Sequence, residues 1–127
     1  MRKLVIIGAA VAVVAGGGAY ALADTSSGPL GVTATCGLIA GYAPPTFVEQ
    51  ITFTTGSENT WGIVATVRRN GRIITPSPGV PITLANRLDH NQSVAGTTLV
   101  SAPADQALIA FVGPDGYPHV FAVKCAS

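Results

Sequence analysis

The stretch TWGIVATVRRNGRIIT, residues 60–75, decides the fold class of this 127-residue chain. Two runs rich in β-branched residues flank Asn70-Gly71. Asn-Gly favours a type I′ turn, because both central residues of that turn must adopt positive φ. The stretch therefore predicts a β-hairpin in which Arg69 pairs with Arg72.

Alternation along the first strand of this hairpin predicts which side chains reach the core. Trp61, Ile63, Ala65 and Val67 share one face, and we interpret it as the core side. The opposite face carries Arg68 and is expected to be more solvated.

Outside the hairpin, short strand-like runs alternate with turn-forming residues, and no segment shows a sustained helical period. The connecting segments are rich in Gly, Pro, Asn and Asp, which favour turns. The other predicted strands cover residues 30–36, 46–54, 80–84, 94–101, 106–112 and 117–125. Seven to eight short strands at this spacing predict an all-β fold, in which residues 30–127 form a single β-sandwich or small barrel.

The N-terminus has the pattern of a secretory signal peptide. Two basic residues precede an uncharged apolar stretch, and Ala21 and Ala23 supply the small residues found before a cleavage site. We therefore predict a signal peptide at residues 1–23, cleavage before Asp24, and a flexible leader at residues 24–29. An uncleaved membrane anchor stays open as the alternative, because an apolar stretch of about 20 residues can span a bilayer.

Cys36 and Cys125 are the two cysteines of the chain. In an exported protein such a pair predicts a disulfide, which here would join residues 89 positions apart. Closing a loop of that length stabilises the folded state by roughly 4–5 kcal/mol on the chain-entropy model. A zinc or thiolate site is the alternative, but the sequence has no Cys-x-x-Cys motif or Cys/His cluster to support it.

Three segments within residues 61–125, VATVRRNGR, PGVPITL and ALIAFVGPDGYPHVFAVKC, resemble a pattern that recurs in bacterial immunoglobulin-like domains. In that family a strand and an Asn-Gly turn lead to a PGVPVTL-like strand, and later to two apolar strands joined by a glycine turn. The resemblance implies an immunoglobulin-like β-sandwich that serves as a surface or extracellular module without catalytic residues. The Cys36–Cys125 pair is not a feature of that family.

Charge and side-chain chemistry argue against several classes of function. The formal net charge is +1, with none of the broad basic footprint of a nucleic-acid-binding protein. Asp89, His90 and Ser93 are too close in sequence to orient one another as a catalytic triad, and no metal-ligand spacing joins them to His119. Asn91 begins an N-x-S sequon, which matters only where the glycosylation machinery exists. We predict no enzymatic activity, no metal site and no cofactor.

The hairpin tip carries the candidate partner-binding residues, Arg68, Arg69 and Arg72. Exposed guanidinium groups can bind an anionic partner, such as a cell-envelope polymer or an acidic protein patch. Charges at a strand end also protect a sheet from edge-to-edge aggregation, and this alternative stays open.

These observations predict a secreted or cell-surface structural or interaction module that assembles or adheres through its sheet edges or loops. We expect its partner to be a protein or a cell-envelope polymer, with self-association as an option and with membrane contact only if the signal segment is retained. The alternative function is a secreted inhibitor of an extracellular hydrolase. Its rigid binding element would be loop 57–61, the arginine hairpin or loop 86–92.

Overall fold

The computed structural model describes residues 20–42, 44, 46–56, 59–74 and 81–126. These residues form nine strands and a short 3-10 turn at Pro29–Gly31. The strands are β1 (Tyr20–Ser27), β2 (Thr33–Ile39), β3 (Phe47–Thr54), β4 (Thr60–Arg69), β5 (Arg72–Ile73), β6 (Ile82–Leu88), β7 (Ser93–Val100), β8 (Gln106–Val112) and β9 (Pro118–Lys124). Residues 1–19 of the predicted signal peptide lie outside the described residues.

The strands form two antiparallel sheets that pack face to face. Sheet A has the order β1-β2-β3-β7, and sheet B has the order β5-β4-β8-β9 with β6 also paired to β4. The chain crosses between the sheets after β3, after β6 and after β7. The predicted all-β sandwich is therefore confirmed, with nine strands in the described part of the chain instead of seven or eight.

The hairpin at Asn70-Gly71 forms as the sequence predicts. Asn70 and Gly71 have φ values of 53° and 81°, the two positive angles that a type I′ turn requires. Arg69 lies opposite Arg72 in the register. β5 is only two residues long, so most of the pairing on this side of β4 comes from β6.

The core lies between the inner faces of the two sheets. Phe53 of β3 and Phe111 of β8 join the sheets, with their ring centroids 5.6 Å apart, and Phe121 of β9 packs edge-on against Phe111. Ile51 and Ile109 are fully buried beside them. Burial of each such side chain contributes roughly 1.5–3 kcal/mol, so this cluster is the main stabilising feature of the fold.

The predicted disulfide is present. Cys36 in β2 is bonded to Cys125, which directly follows β9, and the two Cα atoms lie 4.6 Å apart. The bond thus links sheet A to sheet B, and both cysteines are buried within the core.

The largest difference from the sequence-based expectation is β1. Asp24 to Ser27, which we expected in a flexible leader, continue a strand that begins at Tyr20 and pairs with β2 along the edge of sheet A. A run of small polar residues is typical of coil. Such residues nevertheless fit an edge strand, which pairs on one side only, because their hydroxyl groups can hydrogen-bond to side chains of the neighbouring strand. Thr25 and Thr35 do so, with their Oγ1 atoms 2.8 Å apart. Cleavage before Asp24 stays a prediction.

Two other strand boundaries differ for local reasons. β2 begins at Thr33, three residues later than predicted, because Leu30 and Gly31 adopt positive φ values of 58° and 76° and so interrupt an extended backbone. β6 continues to Leu88, so the first half of the predicted loop 86–92 belongs to a strand.

Candidate functional site

Sheet B exposes a largely apolar outer face, which is the candidate functional site. Cross-strand register arranges its side chains in four rows, which we number 1 to 4 from the Trp61 end to the hairpin end. In that order the rows are Arg87–Trp61–Val112–Pro118, Thr83–Val64–Ala110–Val120, Thr66–Leu108–Ala122 and Ile73–Arg68–Gln106–Lys124.

Rows 1 to 3 present apolar side chains to solvent. Val120 is 64% exposed and Trp61 is 46% exposed, and Pro118 and Ala122 are exposed beside them. An antiparallel sheet that packs one face on the core normally turns polar side chains to water on the other face. A contiguous apolar patch at this position is therefore a candidate interaction surface.

The outer face of sheet A has different chemistry. Thr25, Thr35 and Thr52 lie side by side on it, one on each of three neighbouring strands. The Tyr20 hydroxyl lies 2.7 Å from Thr52 Oγ1, and burial raises the pKa of this phenol. Leu99, at 59% exposure, is the large apolar side chain exposed on β7 of this sheet. Of the two outer faces, that of sheet B is therefore the apolar one.

Trp61 lies on the outer face of sheet B, and the prediction that it belongs to the core is wrong. The register of β4 against β8 shifts between Trp61 and Val64, and Gly62 within this bulge has a φ of +55°. One extra residue in a strand reverses the alternation before it, so Trp61 is exposed although Ile63 is fully buried. The sequence did contain a signal, because a glycine inside a strand pattern indicates a bulge.

A hydrogen-bonded network holds the Trp61 end of this face. The Arg87 guanidinium carbon lies 4.7 Å from the centroid of the Trp61 ring, and Arg87 also pairs with Asp89 at 3.0 Å. With its amide oriented to satisfy both neighbours, Asn59 donates to Asp89 Oδ1 (2.8 Å) and accepts from Arg87 (3.0 Å). Two candidate loops of the inhibitor hypothesis, 57–61 and 86–92, therefore meet here, although residues 57 and 58 lie outside the described residues.

Arg68 lies at the opposite end of the face, in row 4, whereas Arg69 and Arg72 pair one position beyond it, where strand alternation turns them to the other side of the sheet. Arg69 donates to the carbonyl oxygen of Pro103 at 2.7 Å, and Arg68 reaches Gln106 Oε1 at 3.4 Å. Arg72 is exposed. Among the residues that the structure describes, no carboxylate forms an ion pair with these guanidinium groups.

Lys124 is a second cation of this end of the face, and the sequence analysis did not identify it. It lies in row 4 with Arg68, separated by Gln106 of β8. The nearby carboxylate of Asp105 accepts the Asn70 backbone N–H at 2.8 Å, next to the hairpin tip. We call Arg68 and Lys124 the basic end of the face. Strand order could not be read from the sequence, so β4 and β9 could not be placed in one sheet with one strand between them.

Inside the sandwich, a buried carboxyl group lies beside the disulfide. Glu49 is fully buried, its Oε1 accepts the Ala104 backbone N–H at 2.7 Å, and its Oε2 lies 3.7 Å from Cys36 Sγ. Burial raises the pKa of Glu49 to about 7, although the hydrogen bond from Ala104 opposes the shift. Burial in the folded protein therefore favours the protonated form of Glu49.

The side chains considered for catalysis and metal binding are separated. His119 of β9 pairs with Asp115 at 2.9 Å and stacks on Phe111, whereas Asp89, which directly follows β6, pairs with Arg87. One group of three potential metal ligands occurs in the described ranges, Cys36, Cys125 and Glu49. Its sulfur atoms are joined in the disulfide, so neither is a thiolate ligand. No helix of the described segments is long and apolar enough to cross a membrane.

Comparisons with known proteins find similarity of fold only. No family model and no curated protein matches the chain. Its structure is similar to part of the GH20 exo-β-N-acetylglucosaminidase from Vibrio harveyi in complex with N-acetylglucosamine, with a TM-score of 0.52 and 16% sequence identity. An inactive mutant of that enzyme matches with a TM-score of 0.50 at the same identity. Each match covers 75% of this chain but 18% of the glycosidase chain, so it concerns one portion of a much longer protein.

Proposed function

We propose that this chain is an exported, non-catalytic interaction module that binds a protein through the outer face of sheet B. The observation that carries the proposal is the exposure of a contiguous apolar face, with Val120 and Trp61 at 64% and 46%. Water contact with such a face is unfavourable by roughly 25 cal/mol per Å² of apolar area, and a partner surface that covers it recovers that free energy.

The composition of the face supports a protein partner. Trp and Arg are the residues that most often dominate the binding energy of protein interfaces, and this face has Trp61 at one end and arginines at both. The basic end at Arg68 and Lys124 would orient the partner and accelerate encounter with an acidic patch. A charged rim around an apolar centre is the usual arrangement of a non-obligate interface.

The strand order supports an immunoglobulin-like module. β2-β3-β7 facing β6-β4-β8-β9 corresponds to strands A, B and E facing C′, C, F and G of an immunoglobulin sandwich. Export is supported by the disulfide, because such bonds persist mainly in oxidising compartments. Non-enzymatic function is supported by the separate pairing of His119 with Asp115 and of Asp89 with Arg87.

The experiment compares two substitutions of matched exposure on opposite sheets. Val120→Arg places a charge on the outer face of sheet B, and Leu99→Arg places one on β7 of sheet A, where the exposed fraction is 59% against 64% for Val120. We expect Val120→Arg to abolish retention of the exported protein on its own cell surface and Leu99→Arg to leave retention unchanged. Equal retention of both variants and the wild type would contradict the proposal.

A second candidate function is inhibition of an extracellular hydrolase, and the Trp61 network favours it. Asn59, Arg87 and Asp89 hold an exposed aromatic ring in place, as a rigid inhibitory element requires. Screening against extracellular proteases and glycosidases, with Trp61→Ala as the matched variant, tests this function. We would expect inhibition that the Trp61→Ala variant loses.

A further inference from the structure

We propose that the outer face of sheet B binds a second copy of this chain, packed face to face about a two-fold axis that runs across the strands. This inference rests on the proposed function, because it names the partner of the same face. An axis across the strands places each strand over the same strand of the second copy and reverses the order of the rows. Row 2 then lies over row 3, and row 1 lies over row 4.

Side-chain size on this face is matched for that arrangement. In β9, Val120 of row 2 would lie over the small Ala122 of row 3. In β8, Ala110 of row 2 would lie under the larger Leu108 of row 3. Large side chains therefore meet small ones in both strands, as the interdigitation of two packed sheets requires. A two-fold axis along the strands would instead lay β9 over the opposite edge of the sheet, formed by β5 and β6, and this size match would be lost.

Charge selects the same axis. The basic end contains Arg68 and Lys124, which both lie in row 4. An axis along the strands would bring the two basic ends together, and like charges in apposition are unfavourable.

An axis across the strands gives each basic end a favourable neighbour. It brings Arg68 over the exposed ring of Trp61 of the second copy, the pairing of a cation–π contact. The face is thus complementary to itself in one orientation.

The size of the face predicts a weak dimer. Four strands about 4.8 Å apart and four rows about 6.8 Å apart cover roughly 500 Å² per copy, or roughly 1,000 Å² for the pair. That total is at the lower limit of specific interfaces, so we expect a dissociation constant on the order of 10–100 µM. Dimers would therefore form where the protein is concentrated.

The test is sedimentation equilibrium of the oxidised full chain, expressed with its own export segment, over a concentration series up to about 500 µM. We expect a monomer–dimer equilibrium that Val120→Arg weakens at least thirtyfold and that the control Leu99→Arg leaves within threefold. Arg68→Ala and Trp61→Ala should each weaken the dimer, and their combination should weaken it by less than the product of the two fold-changes. Circular dichroism and the unfolding midpoint establish that each variant folds.

Each result decides between the two proposals. A wild-type monomer at the highest concentration, or a dimer that Val120→Arg leaves intact, would overturn the self-association. A dimer that Val120→Arg and Leu99→Arg both disrupt would also overturn it, because the interface would then not be the outer face of sheet B alone. If the wild type is monomeric but Val120→Arg still abolishes surface retention, the proposed function survives and the face has another protein as its partner.

Discussion

Replacing the buried Glu49 by glutamine should change how the stability of the protein depends on pH. Glu49 is fully buried, its Oε1 accepts the Ala104 N–H, and burial raises its pKa from 4.5 to about 7. Folding therefore favours the protonated carboxyl group. Its contribution to stability is fully present below the unfolded-state pKa of 4.5 and is lost as the pH rises through about 7.

The size of the effect follows from the shift. One pKa unit corresponds to about 1.4 kcal/mol, so a rise from 4.5 to about 7 lowers the free energy of unfolding by about 3 kcal/mol between acid and alkaline pH. Glu49→Gln keeps an oxygen that can accept the Ala104 N–H but does not titrate. We expect the variant to match the wild type at pH 4.5 and to exceed its stability by about 3 kcal/mol at pH 8.

The assay is equilibrium unfolding of the oxidised protein in urea at several pH values from 4.5 to 8, with the slope of each transition compared. Asp24→Asn on the edge strand serves as a control, because it removes a carboxylate that lies outside the core cluster. Parallel stability curves for the wild type and Glu49→Gln would refute the reasoning. They would show that the folded protein accommodates the Glu49 carboxylate without loss of stability.

Four further predictions test other features. Thr98→Val should raise the free energy of unfolding by about 1 kcal/mol in urea titrations, because the buried Thr98 hydroxyl has no hydrogen-bond partner among the described residues. Asp115→Asn should lower the thermal midpoint at pH 7 but not at pH 2. Hydrogen bonds lower the pKa of Asp115, so the contribution of its carboxylate to stability is lost as the pH falls. An equal effect at both pH values would contradict this. Replacing Cys36 and Cys125 together by alanine should lower the stability by about 4–5 kcal/mol, measured as a shift in the urea midpoint. Intact-mass spectrometry of the exported protein should give Asp24 as the first residue, and a mass that includes residues 20–23 would contradict cleavage at that position.

The hairpin shows what local sequence can determine. Asn70-Gly71 set the turn type, and the turn type set the register that places Arg69 opposite Arg72. Trp61 shows the limit of the same reasoning, because one bulged residue at Gly62 reverses the alternation on which face assignment depends. A bulge is a local feature, but where it inserts its extra residue depends on the neighbouring strands.

Other features depended on pairing that is distant in sequence. The outer face of sheet B joins β4, β8 and β9, and their order is not encoded in any one segment. One indication was available, because the run QALIAFV of β8 is apolar at almost every position, as in strands that are covered on both faces. Glu49 also shares its face of β3 with Ile51 and Phe53, so alternation alone could have placed it in the core.

The position of the disulfide has a mechanical consequence. A force applied to the chain before Cys36 and after Cys125 would pass directly through the covalent bond between them. β3 to β9 all lie between the two cysteines, so tension would bypass nearly the whole sandwich, and the 89-residue separation would add nothing to the extended length. Pulling could detach β1 and the start of β2 but leave the outer face of sheet B folded. A module with this topology would keep its contacts under shear at a cell surface for as long as the disulfide stays oxidised.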